Sequence, residues 1–415
     1  MSSLSPTIAP AGDIPANVPR DRVFDIDLFN LEGVNEGYQE AIMRLQTPDV
    51  PRIVWTPRNG GHWIVTRAES VREVLRNPDR FTSEVIVLPK EAGEKYDFIP
   101  TRLDPPDHQA YRRVIDKVLD IRHMRTLEAS IRQTAIELIE PLVEQGSCDF
   151  TTEFAEKFPI RVFMKMVDLP LADSTLLMHF ATQILRPDGT TGTEMAESVD
   201  KAIKGFYDYL DPVVNERRGK DGTDMISAII NSEVNAKPMI HSEALNIISN
   251  LLLAGLDTVV SFLSFMMIFL GRNPGHVKQL VDAPDTIPRA MEELIRRFPI
   301  VADARMVARD VEYDGVSLKK GDMIQAPTAY SGLDPAVNED PWTVDFARRR
   351  PNHNTFGDGA HRCAGMHLAR MEITITLQEW LSRIPTFRLA KDAKPQYASG
   401  MVATVKGVPL EWDVA

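Results

Sequence analysis

The sequence predicts a mainly α protein with a minor β part, folded as one unit. Six stretches repeat apolar residues with helical spacing, and several end at a Pro or Gly just beyond the last turn. They are 68–77, 107–145, 203–218, 242–270, 286–297 and 364–383. No internal repeat and no Pro- or Gly-rich linker divides the 415 residues. We therefore expect a single domain over 21–415, preceded by a flexible N-terminal arm at 1–20.

The β part is predicted in two short regions. Apolar runs in 52–67 flank an Asn-Gly-Gly turn at 59–61, which is typical of a hairpin. The second region, 306–331, is interrupted by turn sequences at 314–315 and 320–322. These strands are few and short, so the sheet is expected to be subordinate to the helices.

The charge balance excludes one class of function. Lys and Arg total 47 against 59 Asp and Glu, a formal net charge of −12. A protein without a global positive field does not recruit phosphates, which argues against a nucleic-acid binder; an anionic partner must meet a local basic patch. The two cysteines, Cys148 and Cys363, form one disulfide at most, which favours a reducing cytoplasm.

One apolar run, 247–270, has the length of a membrane span. It contains Asn250, Asp257 and Thr258, and a charge inside a span is costly in lipid. The N-terminal 20 residues lack the basic start and apolar stretch of a signal peptide. We expect a buried core helix and no membrane partner.

The most informative stretch is the Gly-punctuated loop 356–365, which leads into the helix expected from about Ala364. An isolated Cys363 would be read as a small buried hydrophobe, and a metal site of His361, Cys363 and His367 lacks a fourth ligand and matches no common zinc spacing. At a helix N-terminus the positive end of the dipole favours thiolate.

The whole loop instead resembles the haem-binding loop of the cytochrome P450 family. The matching residues are Phe356, Gly359, Cys363 and Gly365. The resemblance implies that Cys363 is the axial ligand of the iron of haem b. It also implies a single-domain P450 fold in which the haem is buried between a long distal helix and this proximal loop.

Two further motifs extend the resemblance. Glu293 and Arg296, spaced i and i+3, match the family's Glu-x-x-Arg, and Arg348 resembles the third member of that structural network. Segment 254–258 resembles the family's oxygen-activation segment, with Asp257 and Thr258 as catalytic residues. Thr258 would orient water and Asp257 would connect it to bulk protons. The Gly of this segment, Gly255, is expected to loosen one helical turn.

The resemblance is closest to the camphor-hydroxylating branch of the family, along nearly the whole chain. Segment 90–101 is similar to that branch's substrate-gating segment, and Tyr96 would donate a hydrogen bond to a ketone. The other substrate-contacting residues implied are Val87, Phe98, Thr101, Leu185, Asn250, Leu253, Val301 and Val402. A potassium ion is implied at Glu84, Gly93, Glu94 and Tyr96.

The chain departs from that branch at several pocket positions. Val87, Leu185, Asn250 and Ala254 replace residues of different size or polarity, and such changes alter substrate discrimination by ~1–3 kcal/mol. Met178 replaces a lysine that helps to hold the catalytic acid, which leaves Arg186 as the expected partner of Asp257.

Two sets of cations are implied by the same resemblance. Arg112, Arg305 and His361, with Asp303 nearby, would bind the haem propionates. Arg72, Arg112, Arg350 and Arg370 would form a basic redox-partner face for an acidic 2Fe–2S ferredoxin, which an NADH-dependent flavin reductase reduces.

The predicted function is a monomeric haem-thiolate monooxygenase. It would insert one oxygen atom of O2 into a C–H bond of a small hydrophobic ketone, camphor at the 5-exo position above others. Another monoterpenoid or norisoprenoid ketone stays open as the substrate. A haem-thiolate sensor without catalysis is the second alternative, for which Asp257 and Thr258 would be superfluous.

Overall fold

Helices dominate the computed structural model, which describes residues 14–94, 97–189 and 191–414. The helices are α1 (Tyr38–Ile42), α2 (Ala68–Arg76), α3 (Lys90–Glu94), α4 (Asp107–Val118), α5 (Ile121–Val143), α6 (Phe158–Val167), α7 (Ser174–Leu185), α8 (Gly192–Arg217), α9 (Met225–Ile230), α10 (His241–Arg272), α11 (Pro274–Asp282), α12 (Ile287–Arg297), α13 (Ala329–Gly332) and α14 (Met366–Arg383). The prediction of a mainly α single domain with a minor β part is confirmed.

The strands are short. They are β1 (Ile53–Thr56), β2 (His62–Val65), β3 (Phe81–Thr82), β4 (Ser147–Asp149), β5 (Glu233–Val234), β6 (Lys237–Pro238), β7 (Ala302–Val307), β8 (Val311–Tyr313), β9 (Val316–Leu318), β10 (Met323–Pro327), β11 (Arg388–Leu389), β12 (Gln396–Ala398), β13 (Thr404–Lys406) and β14 (Pro409–Glu411). The largest sheet has the order β1-β2-β10-β7-β3, and β10 is parallel only to β2. Its β7 strand carries Asp303 and Arg305 opposite Ala326 and Ile324 of β10.

Most predicted helices lie where the apolar periodicity placed them, and the longest one is divided. The stretch 107–145 forms α4 and α5, because the Asp120 side chain caps α5 by accepting hydrogen bonds from the N–H groups of Arg122 (2.6 Å) and His123 (2.9 Å). Helix α14 begins at Met366, two residues after the expected start. The β7 strand begins at Ala302, ahead of the predicted second β region.

Helix α10 runs through the middle of the protein. It packs against α6, α7, α8 and α14 and against β13. Among the described residues it is the one helix long and apolar enough to cross a membrane, and 67% of its most apolar window is buried in the protein. Its apolar surface is therefore satisfied mainly by neighbouring helices, as expected for a core helix.

Only the end of the predicted N-terminal arm lies within the described residues. There Val18 is buried, and the Asn17 amide donates to the carbonyl oxygen of Ser317 at 3.0 Å. Residues 14–20 thus pack on the body of the protein, and residues 1–13 lie outside the described part of the chain.

Candidate functional site

The loop 356–365, called here the Cys loop, is shaped by two glycines in left-handed conformations, Gly357 (φ 69°) and Gly359 (φ 67°). A Cβ atom on Gly359 would lie 2.7 Å from the carbonyl oxygen of Leu75, so the loop approaches α2 closely. The Cys363 N–H donates to the Phe356 carbonyl oxygen at 2.8 Å and closes the loop. Cys363 therefore has a fixed position three residues ahead of α14.

The thiol of Cys363 lies deep in the protein yet is only half-buried, so its sulfur borders an internal space. Burial raises the pKa of this thiol, although the Gly365 N–H and the charge of Arg112 act to lower it. The protein by itself therefore favours the thiol of Cys363 and not the thiolate that the sequence led us to expect. A thiolate here needs a further positive charge, such as a metal ion at the sulfur.

Helix α10 presents one accessible strip within an otherwise buried core. Ala254 is exposed and Leu253 and Thr258 are half-buried, whereas Leu252 and Leu256 are buried. An accessible strip in the middle of a core helix means that an internal space lies beside this turn. Ala254, one of the positions at which the chain departs from the camphor-hydroxylating branch, lies at the centre of that strip.

The loosened turn expected at Gly255 is absent, because α10 is helical without interruption from His241 to Arg272. A Cβ atom on Gly255 would lie 2.5 Å from the Phe163 ring, so close packing against α6 explains the glycine. The Thr258 hydroxyl donates to the Ala254 carbonyl oxygen at 3.0 Å, so it bonds within its own helix.

Asp257 is held by Arg186, the residue that follows α7. The guanidinium donates to Oδ2 at 2.9 Å and to Oδ1 at 2.5 Å, and also to the Val402 carbonyl oxygen at 3.0 Å. The side chain of Asp257 is 4% exposed and that of Arg186 is 13% exposed. No other described residue donates to this carboxylate, in line with the absence of a lysine at Met178.

The propionate-binding residues expected from the sequence converge near the Cys loop. Arg305 and His361 line a cavity of about 120 Å³, and the His361 Nε2 atom is buried there without a hydrogen-bond partner. The His361 ring lies 4.2 Å from that of His108, centroid to centroid. Burial, with the charges of Arg305 and Arg112, lowers the pKa of His361 to about 2, so the ring is neutral.

These residues fit a haem. The group needs an axial thiolate, donors for two carboxylates and a flat space beside the ligand. Cys363 supplies the first, and Arg305, Arg112 and the unpartnered His361 Nε2 supply the second. A Cβ atom on Gly365 would meet only the Cys363 sulfur, at 3.9 Å, so the loop leaves open space there.

Several predicted substrate residues are brought together in pairs. Val301 and Val402 form an antiparallel bridge, and Leu185 accepts a hydrogen bond from Met401 N–H at 3.3 Å. The Asn250 amide nitrogen donates to the Thr101 hydroxyl at 2.5 Å. Val87 and Phe98 are buried, while Leu253 lies on the accessible strip of α10. Tyr96, the predicted ketone anchor, lies outside the described residues.

The predicted potassium site finds no support. The guanidinium of Arg102 donates hydrogen bonds to the carbonyl oxygens of Glu84 and Glu94, two of the implied ligands. Gly93 is explained by packing, since an added Cβ would lie 2.7 Å from the Val85 side chain.

The predicted structural network forms behind the Cys loop. Arg296 donates to Glu293 through Nε and an Nη atom, both at 2.8 Å, and Arg348 Nε donates to the same carboxylate at 3.1 Å. Arg296 and Glu293 are 0% and 1% exposed. Arg296 also donates to the Pro341 carbonyl oxygen at 2.7 Å, which ties α12 to the loop before Arg348.

Three of the four predicted redox-partner arginines are already paired with acids. Arg72 lies 3.7 Å from Asp358, Arg112 donates to Asp116 at 2.7 Å, and Arg370 donates to Glu292 at 2.5 Å. Arg350 is exposed and makes no ion pair with a described residue. Arg362, directly before Cys363, is a second exposed cation that the sequence analysis omitted.

Other site residues carried no recognisable sequence signal. His108 is buried with its Nδ1 atom unpartnered beside His361, and Asp104 Oδ1 lies 4.0 Å from His361 Nε2. His108 lies in an ordinary amphipathic helix, so its place at the site depends on packing between α4 and the Cys loop. Arg102 likewise acquires its partners only through tertiary structure.

Comparisons with known proteins agree with this geometry. A family model described as Cytochrome P450 matches residues 28–404. The probable cytochrome P450 127A1 of Sinorhizobium fredii is 31% identical over 420 residues, which cover 99% of this chain and 100% of that protein. The mycinamicin IV hydroxylase/epoxidase of Micromonospora griseorubida is 30% identical over 360 residues, covering 85% of this chain and 89% of the relative.

Solved structures give the same result. The crystal structure of CYP101J2 matches with a TM-score of 0.87 and 42% identity, covering 97% of this chain and 99% of its own. That of CYP101C1 matches with a TM-score of 0.86 and 38% identity, covering 96% and 100%.

Proposed function

Because the chain belongs to the cytochrome P450 family, we propose that it is a haem-thiolate monooxygenase of small terpenoids, with 5-exo hydroxylation of camphor as its reaction. Cys363 would hold the iron of haem b, and Arg112, Arg305 and His361 would hold the propionates. Haem, when bound, supplies the redox chemistry of oxygen activation. The protein contributes orientation, protons and exclusion of water.

The observation that carries the proposal is the pairing of Arg186 with Asp257 beside the accessible strip of α10. A sensor needs no buried carboxylate next to its haem pocket, whereas oxygen insertion consumes protons. Asp257 is fixed by two hydrogen bonds, and Thr258 follows it on the strip. Asp257 thus passes protons inward, and the Thr258 oxygen holds the water that receives them.

The substrate pocket is mostly apolar but contains one amide. Val301, Val402, Leu185 and Leu253 are apolar and suit a terpenoid skeleton, and Val301 and Val402 lie side by side in an antiparallel bridge. Asn250 adds polarity through its hydrogen bond to Thr101. This amide suits a ketone oxygen, and it leaves open a monoterpenoid or norisoprenoid ketone other than camphor as the substrate.

The P450 family requires an electron donor, and we assign an acidic 2Fe–2S ferredoxin, reduced by NADH through a flavin reductase. Arg350 and Arg362 are exposed and make no ion pair with a described residue, and Arg72 and Arg112 can exchange their acidic partners for those of the ferredoxin. The enzyme would work as a cytoplasmic monomer with one catalytic domain over 21–415.

The proposal is tested by reconstitution with a 2Fe–2S ferredoxin, its flavin reductase and NADH. A panel of camphor, other monoterpenoids and norisoprenoid ketones is first titrated by the substrate-induced spin-state change. We expect stoichiometric NADH consumption and a hydroxylated product, formed from camphor at the 5-exo position. Ligand binding without NADH consumption for every compound would establish the sensor alternative.

The iron ligand has a matched control within the chain. Cys363→His should abolish the thiolate-type spectrum of the carbon monoxide complex, whereas Cys148→Ala should leave it intact because Cys148 lies on β4 in the core, outside the Cys loop. A thiolate-type spectrum that survives Cys363→His contradicts the ligand assignment.

A further inference from the structure

We propose that Arg102 is a built-in cation that fixes the gating segment, so this protein orders the segment without a bound potassium ion. Arg102 is a positioning residue, since it acts on the pocket through Thr101. The clamp itself is independent of the proposed substrate, and only its effect on substrate binding rests on the proposed function.

The guanidinium joins three separate pieces of backbone. Its Nε atom donates to the carbonyl oxygen of Glu84, just beyond β3, and an Nη atom donates to that of Glu94 at 3.4 Å, at the end of α3. Arg102 itself lies in a turn closed by its N–H to the Phe98 carbonyl oxygen at 3.2 Å. One side chain therefore ties the backbone before the gating segment, at Glu84, and the backbone within it, at Glu94, to the turn that closes it.

Converging carbonyl oxygens attract a cation. Arg102 supplies the positive charge and also directs its N–H groups at these oxygens. Its planar fork can serve two acceptors at fixed angles, which a spherical ion or a lysine ammonium cannot do in the same way. The carboxylates of Glu84, Glu94 and Asp97 add negative charge around it. A second cation at the same carbonyls would face the like charge of the guanidinium.

The clamp reaches the pocket through the neighbouring residue. Thr101 precedes Arg102 in the turn, and its hydroxyl accepts the Asn250 amide hydrogen from α10. A second turn hydrogen bond, from Leu103 N–H to the Pro100 carbonyl oxygen at 2.9 Å, stiffens the same stretch. Loss of the Arg102 contacts would therefore loosen one wall of the substrate pocket.

The test measures hydrogen exchange of the holoprotein in peptides covering 84–103, in about 0.1 M potassium chloride and in choline chloride of equal ionic strength. The wild type should exchange at the same rate in both salts. Arg102→Met should raise exchange about tenfold or more, as expected from losing charge-assisted hydrogen bonds, and potassium but not choline should slow it again. Arg102→Lys should be intermediate.

Arg309→Met, which removes an exposed arginine of the loop after β7, is the control and should change nothing in 84–103. The proposal is overturned if potassium slows exchange in the wild type, or if Arg102→Met exchanges like the wild type. In parallel steady-state kinetics, Arg102→Met should raise the KM for camphor and leave kcat unchanged. If camphor binds neither protein, the substrate assignment fails and the exchange result still decides the role of Arg102.

Discussion

Arg186 binds both carboxylate oxygens of Asp257 and, with the same guanidinium, the main-chain carbonyl of Val402. One arginine thus connects the end of α7, the turn of α10 that contains Asp257, and the bridge residue Val402, a predicted substrate contact. The carboxylate is oriented without a lysine at 178, so under the proposed function proton delivery would depend on this single ion pair.

Asp257→Asn should lower the rate of product formation by ~10²-fold, a usual cost of removing a positioned acid–base group. The amide keeps the shape of the side chain but neither carries a proton nor balances Arg186. The measurements are kcat with NADH and its solvent isotope effect, which should increase. Asp282→Asn removes an exposed carboxylate paired with Lys278 at 2.7 Å and is the control. Equal kcat values for the two variants would remove Asp257 from the proton path.

Thr258→Ala should uncouple the enzyme and leave oxygen consumption in place. In the protein the Thr258 hydroxyl hydrogen is given to the Ala254 carbonyl oxygen, so the oxygen is available to accept a hydrogen bond from water. Without it, NADH and oxygen are consumed with release of hydrogen peroxide, whereas Thr258→Ser retains the hydroxyl and the coupling. Product formed per NADH is the measurement, and full coupling in Thr258→Ala would contradict this role.

The sequence predicted elements whose cause is local. Apolar spacing located α12 within one residue of its start, and the charge spacing of Glu293 and Arg296 placed both on one face. The sequence could not show that the turn at Gly255 stays regular. A glycine that permits a distorted helix and a glycine that makes room for a neighbouring ring look the same in the sequence. Only the contact with Phe163 distinguishes them.

Residues whose role depends on distant backbone escaped the sequence analysis for a related reason. The two carbonyls that Arg102 binds belong to segments 18 and 8 residues away in the chain, and neither has a side-chain signal. His108 meets His361 across 253 residues through packing alone. Motifs report chemistry that one segment contains, whereas these contacts exist only after the chain has folded.

Arg296→Met should destabilise the holoprotein by about 3–5 kcal/mol, the usual cost of leaving one member of a buried ion pair uncompensated. Glu293 would remain buried with Arg348 as its remaining charged partner, and the Pro341 and Gly332 carbonyls would lose a donor. Urea unfolding followed by the haem absorbance and by circular dichroism measures the change. Lys278→Met, which breaks an exposed pair, should cost less than about 1 kcal/mol; a similar loss in both variants would contradict the structural role.

Glu292 predicts a pH-dependent contribution to stability. Burial acts to raise its pKa, but the contacts with His353, 3.6 Å away, and with the hydrogen-bonding Arg370 outweigh burial and lower the pKa to about 2. A lowered pKa in the folded state means that the stabilisation is complete above the unfolded value of 4.5 and is lost as the pH falls from there toward 2. Urea midpoints of wild type and Glu292→Gln should therefore differ above pH 4.5 and converge as the pH falls from 4.5 toward 2. A difference independent of pH would show that packing, rather than charge, is responsible.

Asn250→Leu should shift the pocket toward less polar ligands. The Asn250 amide nitrogen donates one of its two hydrogens to Thr101. The second amide hydrogen can therefore be donated to a substrate oxygen, and the amide oxygen has no donor among the described residues. Spin-state titrations with a bicyclic ketone and with the hydrocarbon that lacks its oxygen give a ratio of affinities. Replacing the amide should reduce the preference for the ketone by roughly two- to tenfold, the value of one hydrogen bond. Leu253→Ile, an apolar exchange on the same helix face, should affect both ligands alike. An unchanged ratio in Asn250→Leu would mean that the amide serves only to hold Thr101.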